Sequence, residues 1–389
     1  MKSVVKLFAC AIALIAAYLF VWPVPVQPVV WQAPQAPGYV GVHATNQRLA
    51  RLQQLPLAGE VGPEHVVVRE ENGQTWLWMA VGSADHRGGH IVRMKPDGST
   101  REVVAETGGR PLGFDFDDEG ALIVADPIFG DHGGILRIKG RGAGSRVEVL
   151  TSSVGGDPLR YVDAVVVAKS GRIYFSDASQ RFGAKAHGGT FNASVLDILE
   201  HRSTGRILEY DPATKKTRVM LSGLCFANGV ALSADERHLF VAETGEYRIW
   251  KVSIDAHGED ARKAAAQPSD MARVLLANLP GYPDNLMRGE NGRIWTGLTK
   301  PRGAFIDDHA GRPWLRALAL RLPKSMWPVP PAYGHVFAFD ESGKVLVDLQ
   351  DPSGSYPETT AVTESGDRLY IQSLNATTLG YISKQAAGL

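Results

Sequence analysis

The chain has 389 residues, and its 41 basic and 41 acidic side chains leave no formal net charge. This length suffices for one large domain or two ordinary ones. The charge balance gives no electrostatic reason to expect nucleic acid or an anionic membrane surface as a partner. The two cysteines, Cys10 and Cys225, are far apart in apolar stretches, which excludes a disulfide framework and a CxxC metal or redox motif.

Residues 1–23 are predicted to be a signal anchor. Lys2 and Lys6 precede an apolar run over residues 7–22, and positive charge before such a run is typical of a segment that sends the body of a protein across a membrane. Trp22, Pro23 and Pro25 stand where a small-x-small cleavage site would be, which favours an uncleaved anchor over a cleaved signal peptide. Residues 24–38 are rich in proline and predict a stiff, extended stalk. The body is therefore expected on the extracytoplasmic side, periplasmic or lumenal.

Residues 39–389 contain six copies of one strand pattern. An apolar strand is followed by a Gly- or Asp-containing turn, a second apolar strand and a third strand with a basic residue, as in DAVVVAKSGRIYFSD and NGVALSADERHLFVAE. The copies begin about 50 to 75 residues apart, and their period-2 strands favour propeller blades over a helical array. The predicted fold is all-β, a six-bladed β-propeller, with a stretch from Tyr39 closing the last blade.

Two insertions interrupt the repeats. One follows the third copy and reads RFGAKAHGGTFNASVLDILEHRS, and the other follows the fifth and contains PWLRALALRLPKSMW. The second has apolar residues at nearly helical spacing, with basic residues between them, and predicts a helical lid over one end of the propeller. Contact with the membrane is the alternative, since Trp314 and Trp327 flank this segment.

The first residues of the six copies predict a metal site. They are, in chain order, Glu64, Leu112, Asp163, Asn228, Asp284 and Thr359, with Asn285 one place further on. Because the innermost strand of each blade lines the central channel, these side chains are expected to converge on the axis. Carboxylates that face one another repel, and calcium, which prefers oxygen ligands, resolves that repulsion. The predicted ligands of one calcium ion in the channel are Glu64, Asp163, Asn228, Asp284 and Asn285. The alternative is that Asn-Gly and Asp-Asn only form turns at strand starts.

Other polar positions predict structure rather than chemistry. Asp126, Asp177 and Glu243 recur at the ends of second strands, where a carboxylate can cap a turn or pair with arginine. A GxSxG nucleophile elbow, a Walker loop and a dinucleotide fingerprint are absent from the sequence, which disfavours the enzyme classes that depend on them.

Three stretches carry a family resemblance. FANGVALSADERHLFVAETGEYRIWKV, LPGYPDNL and TGRILEYDPATKKTRVMLSGL resemble the strictosidine synthase-like proteins. That group includes the adipocyte plasma membrane-associated protein and is related to the paraoxonase, gluconolactonase and regucalcin propellers. The resemblance implies a calcium-dependent hydrolase of lactones, aryl esters or similar small esters, with metal ligands at the same five positions.

Three positions depart from the pattern that the resemblance implies. Asp163 stands where asparagine is usual, so the site is expected to be more anionic. Thr360 occupies the place of the glutamate that strictosidine synthase uses for its condensation, and Leu112 that of the histidine with which paraoxonases handle the attacking water. These departures disfavour both of those specific chemistries.

The sequence therefore predicts metal-assisted hydrolysis of a small ester or lactone. The cation would polarise the carbonyl, Asp284 or Glu64 would orient or deprotonate water, and the lid would exclude solvent. The alternative, which the residues at 112 and 360 favour, is a non-catalytic ligand-binding or scaffolding propeller with a structural ion. A strictosidine synthase-type condensing enzyme ranks last. The predicted partners are the ester or lactone substrate and, through the anchor, the membrane.

Overall fold

Six antiparallel sheets surround one axis in a computed structural model that describes residues 2–84 and 88–389. The first strand of each sheet lies beside the first strands of neighbouring sheets, next to the axis, and later strands follow outward. Blades one to three contain β2 (Val61–Glu71), β3 (Gln74–Gly82), β4 (Gly89–Met94) and β5 (Arg101–Ala105); β6 (Phe114–Phe116), β7 (Leu122–Asp126), β8 (Gly134–Lys139) and β9 (Arg146–Thr151); and β12 (Val162–Val167), β13 (Ile173–Asp177), β14 (Gly205–Asp211) and β15 (Lys216–Leu224).

The other three blades repeat this arrangement. They contain β16 (Ala227–Leu232), β17 (His238–Glu243), β18 (Arg248–Ser253) and β20 (Ala272–Leu276); β21 (Gly281–Arg288), β22 (Ile294–Pro301), β23 (Gly334–Phe339) and β24 (Val345–Asp351); and β25 (Thr359–Ser365), β26 (Arg368–Ser373), β27 (Thr378–Ser383) and β1 (Gln53–Pro56). Short strands β10 (Ser153–Val154) and β11 (Asp157–Pro158) form a hairpin, and β19 (Glu259–Asp260) extends the third blade. The predicted six-bladed β-propeller is confirmed.

The last blade is closed by a strand from the N-terminal part of the chain. β1 pairs antiparallel with β27, and Leu55 lies opposite Leu379. The side chain of Leu55 is buried in a core that also contains Val66 and Met94 of the first blade. One short strand thus joins the last blade to the first and leaves the ring without a gap between them.

The closing strand begins later than predicted. The stretch from Tyr39 does not pair with β27; Gly41–His43 forms a 3₁₀ turn instead. The side chains of His43 and Asn46 bind Asp348 of the fifth blade, which holds this stretch beside β24. The prediction of a closing strand from Tyr39 is therefore wrong, because side-chain contacts that are remote in sequence fix the path of the chain.

The described residues form five α-helices. They are α1 (Lys2–Val21), α2 (Thr190–Glu200), α3 (Ala261–Ala266), α4 (Ala304–Asp308) and α5 (Pro313–Ala319). α1 is long and apolar enough to cross a membrane, and its residues are exposed or half-buried. α2 comes from the first insertion, and α4, α5 and the 3₁₀ turn Lys324–Met326 come from the second. The predicted helical insertion is confirmed.

Residues 24–38, named here the strap, lie against the body of the protein. The backbone N–H of Val29 donates to Glu200 O at 2.9 Å, and the Trp31 ring stacks on His201 with centroids 3.8 Å apart. Further along, Arg302 donates to Pro34 O and Asn278 to Gln35 O. The segment predicted as a stalk is extended, and it packs along the lid and the propeller.

Replacing Leu55 with alanine tests the closure. We expect the free energy of unfolding to fall by about 2–4 kcal/mol, because a buried leucine is lost from the joint between two blades. Gln53→Ala, on the exposed face of the same strand, should change it by less than about 0.5 kcal/mol. Urea unfolding followed by tryptophan fluorescence measures both, and equal effects of the two substitutions would contradict this role of β1.

Candidate metal centre

Five of the six first strands are irregular where they meet the central channel. The pairing between first and second strands shifts register around Glu64, Asp163, Asn228, Asp284 and Thr360. A β-bulge of this kind interrupts the alternation of side chains and re-aims one of them. The repeated bulge therefore explains why residues from different blades face one another.

Four of the five predicted ligands line one cavity in the channel. Glu64, Asp163, Asn228 and Asp284 are all buried there, and the Asn228 amide nitrogen donates to Asp284 Oδ2 at 3.1 Å. Asn285 is buried too, but its amide nitrogen donates to the backbone oxygen of Glu64 at 2.9 Å. We call Glu64, Asp163, Asn228 and Asp284 the acidic ring, and Asn285 supports it through the backbone.

The Asn-Gly pair in the fourth blade lies within a strand and does not form a turn. Asn228 and Gly229 both belong to β16. A Cβ atom on Gly229 would lie 2.4 Å from the nitrogen of Leu286 and 2.5 Å from the oxygen of Asp284. Glycine is thus needed because the next blade's bulge packs directly against it. The turn interpretation of this pair is wrong.

Buried carboxylates at the ends of second strands hold the segments that lead into the first strands. Asp126 accepts the backbone N–H of Arg110, Asp177 that of Tyr161, and Glu243 that of Cys225. The residue that donates each bond precedes the first residue of a repeat by two or three positions. These acids therefore hold the backbone segments that lead into the channel. The prediction that they are structural is confirmed.

Burial and mutual repulsion dominate the electrostatics of the acidic ring. Burial raises the pKa of Asp163 well above its usual range, and the charges of Glu64 and Asp284 raise it further. Burial likewise raises the pKa of Asp284, with Glu64 as the next cause. The pKa of Glu64 is raised by burial, and Arg110, whose Nη2 lies 3.2 Å from Glu64 Oε2, opposes that rise. One guanidinium thus offsets only part of the repulsion among three carboxyl groups.

The oxygen atoms of the ring suit a calcium ion. Three carboxylates and an amide oxygen are the ligand types that calcium prefers. Asn228 Oδ1 is buried and has no hydrogen-bond partner among the described residues, a state that costs roughly 1–3 kcal/mol unless another ligand is bound. A cation among these atoms would satisfy Asn228 and relieve the repulsion together.

A second cluster of metal-ligating side chains lies beside the fifth blade. His43 Nδ1 and His335 Nε2 each lie 2.7 Å from Asp348 Oδ2, and this set could hold a metal ion. Burial opposes ionisation of Asp348, yet hydrogen bonds from His335 and His43 lower its pKa well below the usual range. The cluster could not be predicted from the sequence, because its members are remote in the chain and match no spacing motif. In the structure it holds the chain near His43 to the fifth blade.

A lid covers the acidic ring. Above the ring is a cavity of about 420 Å³ whose walls include Tyr161, Phe226 and Phe191. A second, mostly apolar cavity of about 180 Å³ lies under the lid, among side chains such as Ile306, Leu320 and Trp327. The two cavities share Asp284, so the ring opens into an apolar chamber.

The departures from the family pattern have structural roles, and a nearby glutamate was missed. Leu112 packs in an apolar core with Tyr161, and Thr360 donates to the Glu64 backbone oxygen at 2.9 Å. Glu358, which opens the stretch ETTAVTE, lines both cavities and lies 2.9 Å from Lys300. Its place in the sequence beside Thr360 was the available signal.

Family models and relatives of known sequence agree with this architecture. A model described as strictosidine synthase matches residues 163–257, and one described as strictosidine synthase-like, N-terminal, matches residues 41–94. Strictosidine synthase-like protein 7 of Arabidopsis thaliana is 35% identical over 67% of this chain and 62% of its own length. Strictosidine synthase-like protein 6 of the same plant is 33% identical over 80% of this chain and 76% of its own length. The adipocyte plasma membrane-associated protein of Homo sapiens is 28% identical over 94% of this chain and 85% of its own.

Solved structures share the fold at low sequence identity. A gluconolactonase from Xanthomonas campestris superposes with a TM-score of 0.56 and 18% identity, covering 93% of this chain and 98% of that one. A calcium-binding protein, regucalcin, from Agrobacterium tumefaciens superposes with a TM-score of 0.51 and 14% identity, covering 84% and 94%. These likenesses show the propeller fold.

Asp163→Asn is expected to stabilise the chelator-treated protein at neutral pH and to flatten its pH dependence. Because folding raises the carboxyl pKa values in the ring, the folded state binds more protons than the unfolded state above about pH 4, and stability must fall as pH rises from there. The substitution removes one of the repelling charges and should add at least about 1 kcal/mol at pH 7.

Thermal unfolding between pH 4 and 8 in EDTA measures this effect. Asp118→Asn, on an exposed turn, is the matched control and should leave the slope of stability against pH unchanged. A variant at Asp163 with the wild-type slope would show that the ring carboxyl groups do not repel one another.

Proposed function

Because the chain belongs to the strictosidine synthase-like family, we propose that it is a calcium-dependent hydrolase of small esters or lactones. The acidic ring carries this proposal. Three buried carboxyl groups, together with an amide oxygen that no described residue satisfies, lie at the floor of a covered cavity. Buried charges are costly without a counter-ion, and these atoms suit a calcium ion with a substrate carbonyl beside it.

The relatives support a metal and a hydrolytic reaction. One of the solved structures described above is a gluconolactonase, and the other is a calcium-binding protein. A fold hosts many functions, so the ligand types of the ring, rather than the likeness, make calcium the preferred ion. The His43, His335 and Asp348 cluster offers two nitrogen ligands and is better suited to zinc.

The residues of the ring have different roles in the proposed reaction. Glu64, Asp163, Asn228 and Asp284 would hold the ion. When bound, calcium polarises an ester or lactone carbonyl and stabilises the charge that develops on its oxygen. One of the ring carboxylates, Asp284 or Glu64, would orient or deprotonate water, since both line the cavity.

Glu358 is a second candidate for proton transfer. It lies outside the ring, in the wall that both cavities share with Asp284. Lys300, at 2.9 Å, and the amide nitrogen of Asn375 fix its carboxylate. The apolar lid would exclude water from the same space and so strengthen the electrostatic interactions within it.

The apolar helix α1 is consistent with a membrane anchor, and the human relative is a plasma membrane-associated protein. The proposal places the propeller on the extracytoplasmic side. The two lysines that precede the apolar run, Lys2 and Lys6, would then remain in the cytoplasm, as the positive-inside rule requires.

The second candidate function is a ligand-binding or scaffolding propeller with a structural ion. The observation that favours it is the structural role of Leu112, a buried apolar side chain, and of Thr360, whose hydroxyl binds the backbone. The family resemblance implies reactive groups at these two places. Fold and metal would be the same in both cases, so turnover distinguishes them.

Asp284→Asn is expected to abolish calcium-dependent turnover. Hydrolysis of aryl esters and lactones by the full chain in detergent should stop in EDTA, return with calcium, and fall at least about 100-fold in kcat in the variant, as for loss of an electrostatic catalytic group. Asp115→Asn is the matched control, since Asp115 lines a separate cavity with His65 and Arg288, and it should retain activity within about twofold.

The same assay separates the two candidates. Full activity of Asp284→Asn, or wild-type activity that EDTA leaves unchanged, would contradict the hydrolase mechanism. A wild-type protein without turnover on either substrate class, whose melting temperature still drops in EDTA and recovers with calcium, would support the binding protein.

A further inference from the structure

The lid exposes large apolar side chains. Phe191 of α2, Trp314 of α5, Met326 and Val329 have 52%, 55%, 60% and 50% of their surfaces exposed. They belong to one continuous surface: α2 packs on α5, Lys324 Nζ lies 3.2 Å from Asn192 Oδ1, and Phe191 and Val329 line the same cavity. We call Phe191, Trp314, Met326 and Val329 the lid face. A contiguous exposed apolar face marks an interaction site.

The C-terminal end of α1 meets the lid face. The rings of Phe20 and Trp314 stack with centroids 6.4 Å apart, and Arg321 Nε donates to the backbone oxygen of Trp22 at 2.6 Å. Tyr18 and Trp22 stand near this end of the apolar helix, where aromatic residues mark the membrane–water boundary. These contacts place the lid face at the level where the anchor leaves the bilayer.

Basic side chains surround the lid face. Arg312 and Lys324 are exposed, and Arg321 lies at the junction with α1. A surface with apolar aromatic and aliphatic side chains between arginine and lysine is typical of elements that lie in the lipid interface, with the basic groups among the headgroups.

We propose that the lid face lies in the outer lipid interface and that the cavity under the lid opens toward it. Phe191 and Val329 are half-exposed and also line that cavity, so they form its rim. Its volume of about 180 Å³ compares with the roughly 150 Å³ of an apolar cavity that accommodates benzene. A substrate class follows if the lid face lies in the lipid, and this step rests on the proposed hydrolase. The substrates would be lipid-soluble esters or lactones with an aryl ring or a short acyl group.

Site-specific labelling of the full chain tests the placement. In a Cys10→Ala background, in which Cys225 is buried and protected from labelling, Met326→Cys and Val329→Cys would each carry an environment-sensitive fluorophore. Val149→Cys on β9 and Leu346→Cys on β24 are matched controls, since both positions are similarly exposed, at 46% and 42%, but lie on outer strands of blades. The proteins would be reconstituted into phosphatidylcholine–phosphatidylglycerol vesicles with and without brominated acyl chains.

We expect brominated lipid to quench the labels at 326 and 329 at least about twofold and to leave the labels at 149 and 346 nearly unchanged, because only the lid face reaches the acyl boundary. Equal quenching at all four positions, or no quenching at 326 and 329, would overturn the proposal. If the labels at 326 and 329 are shielded from solvent only at high protein density, and bromine does not quench them, the lid face contacts a second copy of the chain. That result would also overturn the proposal. No outcome depends on turnover, so failure here would leave the hydrolase proposal standing.

Discussion

Three carboxyl groups from three different blades are buried around one axis, and much of the local structure serves to keep them there. Bulges in the first strands turn Glu64, Asp163 and Asp284 inward. Buried acids at the ends of second strands hold the segments that precede the first strands, and glycine at 229 allows one bulge to pack on the next. A concentration of negative charge in a buried site is costly unless a counter-charge is bound or the carboxyl groups are protonated, and Arg110 forms an ion pair with Glu64 alone of the three.

The lid covers this charged site with apolar side chains. The strap, α2 and α5 are joined by contacts between distant parts of the chain, such as the bonds from Arg316 to the backbone oxygens of Leu199 and Val29. Since the strap leads directly from α1, the position of this apolar helix and that of the lid are linked. A site that is polar below, apolar above and linked to an apolar helix is consistent with the proposed substrates, esters or lactones of lipid-soluble molecules.

The fold and the ring could be predicted because both are recorded in local, repeated patterns. Alternating strands separated by turns that contain glycine or aspartate recur six times, and the four ring residues occupy the same place in four of the six copies. The bulges that aim them could not be foreseen, since a bulge is a relation between two strands. The closing strand, the packing of the strap and the cluster of His43, His335 and Asp348 depend on contacts between residues that are far apart in the sequence. A single sequence carries no local signal for such contacts, and the pairing of Arg110 with Glu64 was missed for the same reason. Glu358 was missed although it stands beside Thr360 in the sequence.

Anomalous X-ray diffraction from crystals of the full chain grown with calcium would show whether the acidic ring binds the ion. We expect one strong calcium peak within the ring, contacted by oxygen atoms of Glu64, Asp163, Asn228 and Asp284. A ring without a peak, in which carboxyl groups and Arg110 satisfy one another, would contradict it. So would a metal peak found only beside His43, His335 and Asp348, which would assign the metal to the joint between the N-terminal segment and the fifth blade.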